Sequence, residues 1–337
     1  MNVILLSGGS GRRLWPLSDD IRSKQFIPVF RRPDGAYESM VQRMYRGIKE
    51  IDENANVTVA TAGFQVDILR EQLGKDVGIS VEPARRDTFP AIALATAYLR
   101  DEKSISEDES VVVCPVDPFV DERYFKMLKS MCERAAETDA NLVLMGIEPE
   151  EPSEKLGYVI PEEKADVSRV KEFKEKPDRV MAEEYIKKGA LWNGGVFAYR
   201  IGYVLEKAAQ ITGKTSYREL FDSYETVEKI SFDYAVAEKE PDIEVLRFNG
   251  MWKDLGTFNT LSDTLAEVYG MKSGALTGKA VVGEDCENVH VFNDTDMPVL
   301  ALGLKNVVIA LSKDGLLVAD KEESAAIKPF VDEIMGG

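Results

Sequence analysis

Val3-Ile4-Leu5-Leu6-Ser7-Gly8-Gly9-Ser10-Gly11-Arg12-Arg13-Leu14-Trp15-Pro16 is the stretch from which the architecture can be read. Four apolar residues in a row, without alternation, predict a strand buried on both faces. The strand runs straight into three glycines, Gly8, Gly9 and Gly11, and then into two arginines. Glycine lets backbone N–H groups approach and cradle phosphate oxygens. Arginine adds bidentate charge. Glycines alone fit an ordinary strand-to-helix turn equally well. Together with both arginines and Lys24 they read as a phosphate site.

Two familiar glycine motifs are excluded. A dinucleotide-binding fingerprint needs a third glycine where Leu14 stands. A P-loop ending in Gly213-Lys214-Thr215 needs a glycine at Ala208 and a strand before it. A nicotinamide oxidoreductase and a P-loop kinase thereby lose their main support.

Outward from this stretch, short apolar runs alternate with helical patterns. Strands are predicted at 3–6, 57–60, 79–81, 111–116 and 142–147, and helices at 40–51, 66–73, 91–99 and 124–137. This order predicts an α/β chain with a Rossmann-like, mixed but mostly parallel sheet flanked by helices on both faces. Shorter strands follow at 158–160, 167–174, 196–199 and 243–248. Helices are predicted at 178–189, opening at Pro177, and at 203–210 and 256–267. After about residue 271, Gly and Asn recur between Val-rich runs at 279–282, 289–292, 299–302, 307–311 and 316–318. These predict a small all-β appendage. A short left-handed β-helix would fit it, although no strict hexapeptide period is visible. A terminal helix is expected over 322–334. The organisation expected is therefore a catalytic domain over 1–268 and a small C-terminal β domain over 269–337.

Composition narrows the function. The formal net charge of −17 among 337 residues argues against a nucleic-acid binder, which needs a basic footprint. It leaves room for a local basic pocket that takes a nucleotide. No apolar run approaches the ~18 residues of a membrane span, and the first run has no basic segment before it as a secretory signal would. The cysteines Cys114, Cys132 and Cys286 are far apart and show no metal spacing, which fits a reduced cytoplasmic chain. The single histidine, His290, leaves little scope for histidine-base chemistry.

Several blocks carry polar residues that chemistry could use. Glu82-Pro83-Ala84-Arg85-Arg86-Asp87-Thr88-Phe89-Pro90 reads as a loop before a helix, with Asp87 or Thr88 as its cap. Val111–Val116 ends on Asp117. At the C-terminal end of a strand in an open α/β sheet an aspartate is a candidate metal ligand or a cap for the next helix. Gly157-Tyr158, Glu175-Lys176-Pro177, Trp192-Asn193-Gly194-Gly195, Ser231-Phe232-Asp233-Tyr234 and Trp252-Lys253-Asp254-Leu255-Gly256 are each weak alone.

In this order they resemble the sugar-nucleotide pyrophosphorylases, and within them the mannose-1-phosphate guanylyltransferases. The matches run over about residues 3–260. The resemblance implies a nucleotide-diphospho-sugar transferase fold and GMP transfer from GTP to mannose 1-phosphate, giving GDP-mannose and pyrophosphate with Mg²⁺. It implies Arg13 and Lys24 on the triphosphate, with Lys176 on the sugar phosphate as the third catalytic residue. It places Leu6, Gly8, Gly9, Gly11, Glu82, Arg86, Asp87 and Thr88 on the nucleotide. It places Gly157, Glu175, Asn193 and Asp233 on the sugar, and Asp117 and Asp254 on the metal. The chain departs from the family pattern at Ser23 (usually Pro), Asp87 (usually Asn), Pro118 (usually His) and Gly194 (usually Ser). Asparagine and aspartate differ in donor capacity, but a carboxylate can still accept from guanine N1–H and N2–H. A different hexose or base, or a silent sugar-nucleotide binder, are the competing readings. No nucleic acid and no membrane are expected as partners, and a homodimer is a candidate assembly.

Overall fold

The computed structural model describes residues 1–8, 11–19 and 21–336. The chain is divided between two compact units. One comprises Met1–Gly8, Tyr45–Pro115 and Val120–Trp252; the other comprises the described residues of Gly9–Met44, Val116–Phe119 and Lys253–Gly337.

The first unit is built on a nine-stranded sheet. Its order is Gly78–Glu82, Asn56–Ala62, Asn2–Leu6, Ser110–Pro115, Leu191–Arg200, Leu142–Ile147, Ile243–Phe248, Val167–Lys174, Gly157–Pro161. Only Leu191–Arg200 and Val167–Lys174 run against their neighbours, so seven of the nine strands point one way. The mostly parallel sheet expected from the alternation is therefore present. Val3, Ile4 and Leu5 are fully buried in its centre, as an unbroken apolar run requires when helices cover both faces.

The helix Thr88–Asp101 packs one face. Its Phe89, Ile92, Ala93, Ala97 and Leu99 join Ile4, Val111, Val113 and Tyr199 in the main core. Successive strand side chains alternate between faces. Cys114 accordingly points the other way and meets Tyr124 of the helix Glu122–Glu137. The parallel register puts the C-terminal ends of neighbouring strands level, with Leu6 opposite Ala60 and Pro115, and Ala62 opposite Glu82. That edge is where open α/β sheets bind ligands.

Several boundaries differ from expectation, three of them instructively. The helix after Pro177 is Arg179–Lys187, because Asp178 serves as its N-cap and accepts from the Met181 amide at 2.9 Å; Pro177 stays outside it. The strand expected at 196–199 extends over Leu191–Arg200, with a bulge between Asn193 and Phe197 where Gly195 takes φ +67°. The terminal segment is a 3-10 turn, Glu323–Ala326, followed by the helix Lys328–Gly336. Pro329 has no N–H to continue an earlier helix, but it suits a first turn.

The second unit holds the appendage. Gly274–Thr277, His290–Asn293 and Val307–Ser312 stack in parallel, and Ala280–Val282 stacks on Val299–Ala301. The layers repeat without a hexapeptide period, since Gly274, His290 and Val308 share a register row. Gly315–Asp320 closes the stack as an antiparallel hairpin with Val307–Ser312. Among the described residues, no helix is long and apolar enough to cross a membrane.

Candidate functional site

In each unit, polar residues singled out in the sequence come together. In the first unit, Glu175, Lys176, Asn193, Asp233 and Gly157 come together from four separate stretches of chain. Lys176 Nζ lies 2.5 Å from Glu175 Oε1, and Asn193 Nδ2 donates to Asp233 Oδ1 at 2.6 Å. Glu175 and Asn193 are each 5% exposed. A Cβ at Gly157 would lie 2.5 Å from Glu175 Oε2, so a side chain there would push the carboxylate out of place.

Burial raises the Asp233 carboxyl to about 6, and the neighbouring Glu175 charge adds to the shift against the Asn193 hydrogen bond. Burial opposes the Lys176 charge, but Glu175 and Asp233 outweigh it and hold the ammonium above its ordinary range. Lys176 takes φ +44°, a left-handed conformation uncommon for a residue with a side chain. Such an outlier persists only when its surroundings fix it, and it clusters at ligand sites. The cluster thus presents a fixed cation among carboxylate and amide acceptors and donors. That set suits a sugar bearing a phosphate.

Along the same unit, Glu82 stands at the end of its strand. Burial pushes its carboxyl up, against the hydrogen bond from Tyr224 Oη at 2.9 Å and the charge of Arg85. Asp87, at φ +70°, caps the helix Thr88–Asp101 and accepts from the Thr88 amide at 2.8 Å. Arg86 donates to the Glu225 carbonyl. The Thr88 hydroxyl accepts from the Phe232 amide at 2.8 Å, one residue before Asp233, so this block and the cluster around Lys176 share a structural link. The capping role anticipated for this block is therefore present. Tyr224 and the 224–226 turn were not anticipated: they lie in a polar segment with no periodicity and no motif.

The second unit holds the charges expected around phosphates. Lys24 Nζ donates to Asp117 Oδ2 at 2.7 Å, with the lysine side chain 13% and the aspartate 36% exposed. Burial opposes ionisation of Asp117, but Lys24 and, more weakly, Arg13 outweigh it and hold the carboxyl below the usual range. Gly256 sits between Arg13 and Asp254: a Cβ there would be 3.4 Å from Arg13 Nη1 and 3.3 Å from Asp254 Oδ2. Asp117 leads into Pro118–Val120, which pairs with Trp252–Asp254 in a two-stranded sheet.

Of the glycine loop, Gly8 is exposed with open space around it, and Gly11 opens the 3-10 turn Gly11–Leu14. Gly9 lies outside the described residues. Leu6 is half-buried at the end of the central strand. Among the described residues no three His, Cys, Asp or Glu side chains converge as a metal cage. His290 is buried, and burial together with Lys321 drops its imidazole to about 4, so it is neutral at ordinary pH.

A family model described as nucleotidyl transferase matches residues 2–269. The chain is 31% identical to the xanthan biosynthesis protein XanB of Xanthomonas campestris pv. campestris (strain B100), over 98% of this chain and 72% of that protein. It is 29% identical to the mannose-1-phosphate guanylyltransferase of Escherichia coli, over 98% of this chain and 75% of that protein. A crystal structure described as a mannose-1-phosphate geranyltransferase from Thermus thermophilus is 27% identical. It superposes with a TM-score of 0.83 over 99% of this chain and 98% of that one.

Proposed function

The chain belongs to the nucleotidyl transferase family, and from that premise we propose that it transfers GMP from GTP to mannose 1-phosphate, giving GDP-mannose and pyrophosphate. The observation that carries the proposal is the cluster in which Lys176, Glu175, Asn193, Asp233 and Gly157 converge although the chain separates them. A lone lysine on a charged surface would have no such setting.

The nucleophile is a phosphate oxygen of mannose 1-phosphate, already an anion. No general base is required, and the work is positioning and charge neutralisation. Lys176 holds the sugar phosphate. Glu175, Asn193 and Asp233 orient the sugar hydroxyls, with the Gly157 backbone leaving room for Glu175. Arg13 and Lys24 neutralise the pyrophosphate as it leaves the α-phosphorus in line. Glu82, Arg86, Asp87 and Thr88 serve the base side. The Asp87 carboxylate can accept from guanine N–H groups once it yields its cap to water.

The donor set fits a magnesium ion: Asp117 is held anionic just before Pro118–Val120, the strand paired with it ends on the exposed Asp254, and among the described residues no cage of three or more His, Cys, Asp or Glu side chains is present. Mg²⁺ commonly takes one or two carboxylates and completes its shell with substrate phosphates and water. Bound there, it would supply Lewis-acid charge to the reacting phosphates. We also assign catalysis to residues 1–268 and a separate β domain to 269–337, supported by the family match ending at 269.

Four nucleoside triphosphates crossed with mannose, glucose, galactose and N-acetylglucosamine 1-phosphates, with pyrophosphate release as the readout, test the proposal. Release with GTP and mannose 1-phosphate alone is expected; release with another pair moves the specificity, and none with any pair removes the reading. Asp117→Ala and Asp254→Ala are each expected to cut turnover ~10²-fold or more, as loss of charge stabilisation does elsewhere. Near-normal turnover of both at saturating Mg²⁺ would remove the metal assignment.

A further inference from the structure

We propose that the C-terminal β stack positions the loop that carries Arg13, with Ser312 and Gly315 as positioning residues; the proposal rests on reading Arg13 as a triphosphate contact. The hairpin Val307–Ser312 and Gly315–Asp320 turns tightly, with Ser312 paired to Gly315. Both residues meet the segment just after Arg13. Ser312 is 6% exposed, and its Oγ donates to the Pro16 carbonyl at 2.6 Å. A Cβ built on Gly315 would lie 2.6 Å from Trp15 Cζ2 and 2.7 Å from Trp15 Cη2. Glycine at 315 therefore lets the indole lie flush on the hairpin backbone. A third contact comes from another layer of the stack, where Arg22 pairs with Asp294 at 2.5 Å.

The loop can transmit this. The Leu17 and Ser18 amides both return to the Leu14 carbonyl, at 2.9 and 3.1 Å, and Leu14 and Leu17 are buried. Residues 13–18 therefore form one stiff turn. A displacement of Trp15 reaches Arg13 two residues away, and small displacements of charged groups degrade binding steeply. The serine and the glycine touch no substrate; they act through the loop.

Gly315→Ala drives a methyl into the indole. Trp15→Phe removes the two ring atoms that the methyl would meet. Ser312→Ala deletes the hydrogen bond to Pro16, together with the one Ser312 Oγ accepts from the Asp314 amide at 3.0 Å inside the turn, and leaves the volume nearly unchanged. Titration calorimetry of the full chain with GTP, and separately with mannose 1-phosphate, distinguishes positioning from general damage. Gly315→Ala is expected to weaken GTP about 10-fold and Ser312→Ala by less, with mannose 1-phosphate affinity close to wild type in both; Gly315→Ala also lowers the melting temperature, because Gly315 takes φ +156°. The double variant Gly315→Ala with Trp15→Phe is expected to bind GTP more tightly than Gly315→Ala alone. Equal loss for both ligands, or folded variants that bind GTP like wild type, overturns the proposal. Should Gly315→Ala fail to fold, the GTP affinity of Ser312→Ala decides alone. Wild-type protein that binds no GTP removes the functional reading itself, and the positioning role falls with it.

Discussion

Asp233 is a carboxyl whose titration departs strongly from that of the unfolded chain. Its carboxyl ordinarily titrates at 3.8 and here at about 6, with burial the leading cause and the Glu175 charge second. Between those values the folded chain keeps a proton that the unfolded chain has released. The unfolded state binds fewer protons, so stability falls as pH rises through this window. Asp233→Asn removes the linkage and keeps an oxygen to accept from Asn193. Denaturant titrations at pH 5 and pH 7 are expected to show the variant gaining on wild type by about 1–2 kcal/mol at the higher pH, a figure reduced from the full shift because the side chain is not wholly enclosed. A pH-independent difference would contradict the assignment. At this scale the convergence around Lys176 was legible in advance. Gly157, Glu175, Lys176, Asn193 and Asp233 each sit in a short block whose order matches a known pattern, and the fold brings them together. Tyr224 was not legible, because its partner Glu82 is distant in sequence and nothing around it is periodic. Asp87 was legible as a cap, since a carboxylate before a helix satisfies amides that have no intrahelical partner.

The elements show the same division. Runs of consecutive apolar residues gave the strands of the large sheet within a residue or two, because burial on both faces leaves no alternation to misread; Leu191–Arg200 is the exception, its first five residues missed across Asn193-Gly194-Gly195. The ends of helices were less legible: Pro177 and Gly256 both suggested boundaries that capping side chains moved. Thr257, with Thr260 three residues on, opens the helix Phe258–Tyr269 through a reciprocal pair of hydrogen bonds. That helix anchors the appendage through Asp263, which binds the ammonium of Lys321 at 2.5 Å while Asn288 Oδ1 accepts at 2.7 Å. Lys321 is 1% exposed, and sequence gives no hint of it, since a lysine after a strand is ordinarily solvated. Removing one partner of a buried charge costs far more than an exposed ion pair contributes. Asp263→Ala is expected to lose about 2–4 kcal/mol, less than a wholly enclosed pair because Asp263 itself is exposed and Asn288 remains. Lys321→Met, which removes the charge together with its need for partners, is expected to lose less. Urea unfolding of both variants checks the order; a larger loss in Lys321→Met would show that the ion pair itself, not the stranded cation, dominates.

The whole chain carries a net charge of −17, yet the proposed substrates are multiply charged anions. Two fields of opposite sign therefore act on an approaching mannose 1-phosphate. The general field repels it, and the local field of Lys176 attracts it once it is close. Ionic strength separates the two, because the screening length is about 30 Å at 0.01 M and about 8 Å at 0.15 M. At low salt the repulsion from the whole surface is felt along the approach. At 0.15 M it is screened beyond the nearest groups, while contact with Lys176, part-buried beside Glu175, is screened much less. Raising NaCl from 10 to 150 mM at fixed free Mg²⁺ is therefore expected to raise kcat/KM for mannose 1-phosphate about two- to threefold, with kcat unchanged. An enzyme whose basic residues dominate the long-range field would show the reverse, a steep fall with salt. That result would place additional positive potential around the cluster that holds Lys176 and would show that the acidic excess is confined to surfaces the substrate does not approach.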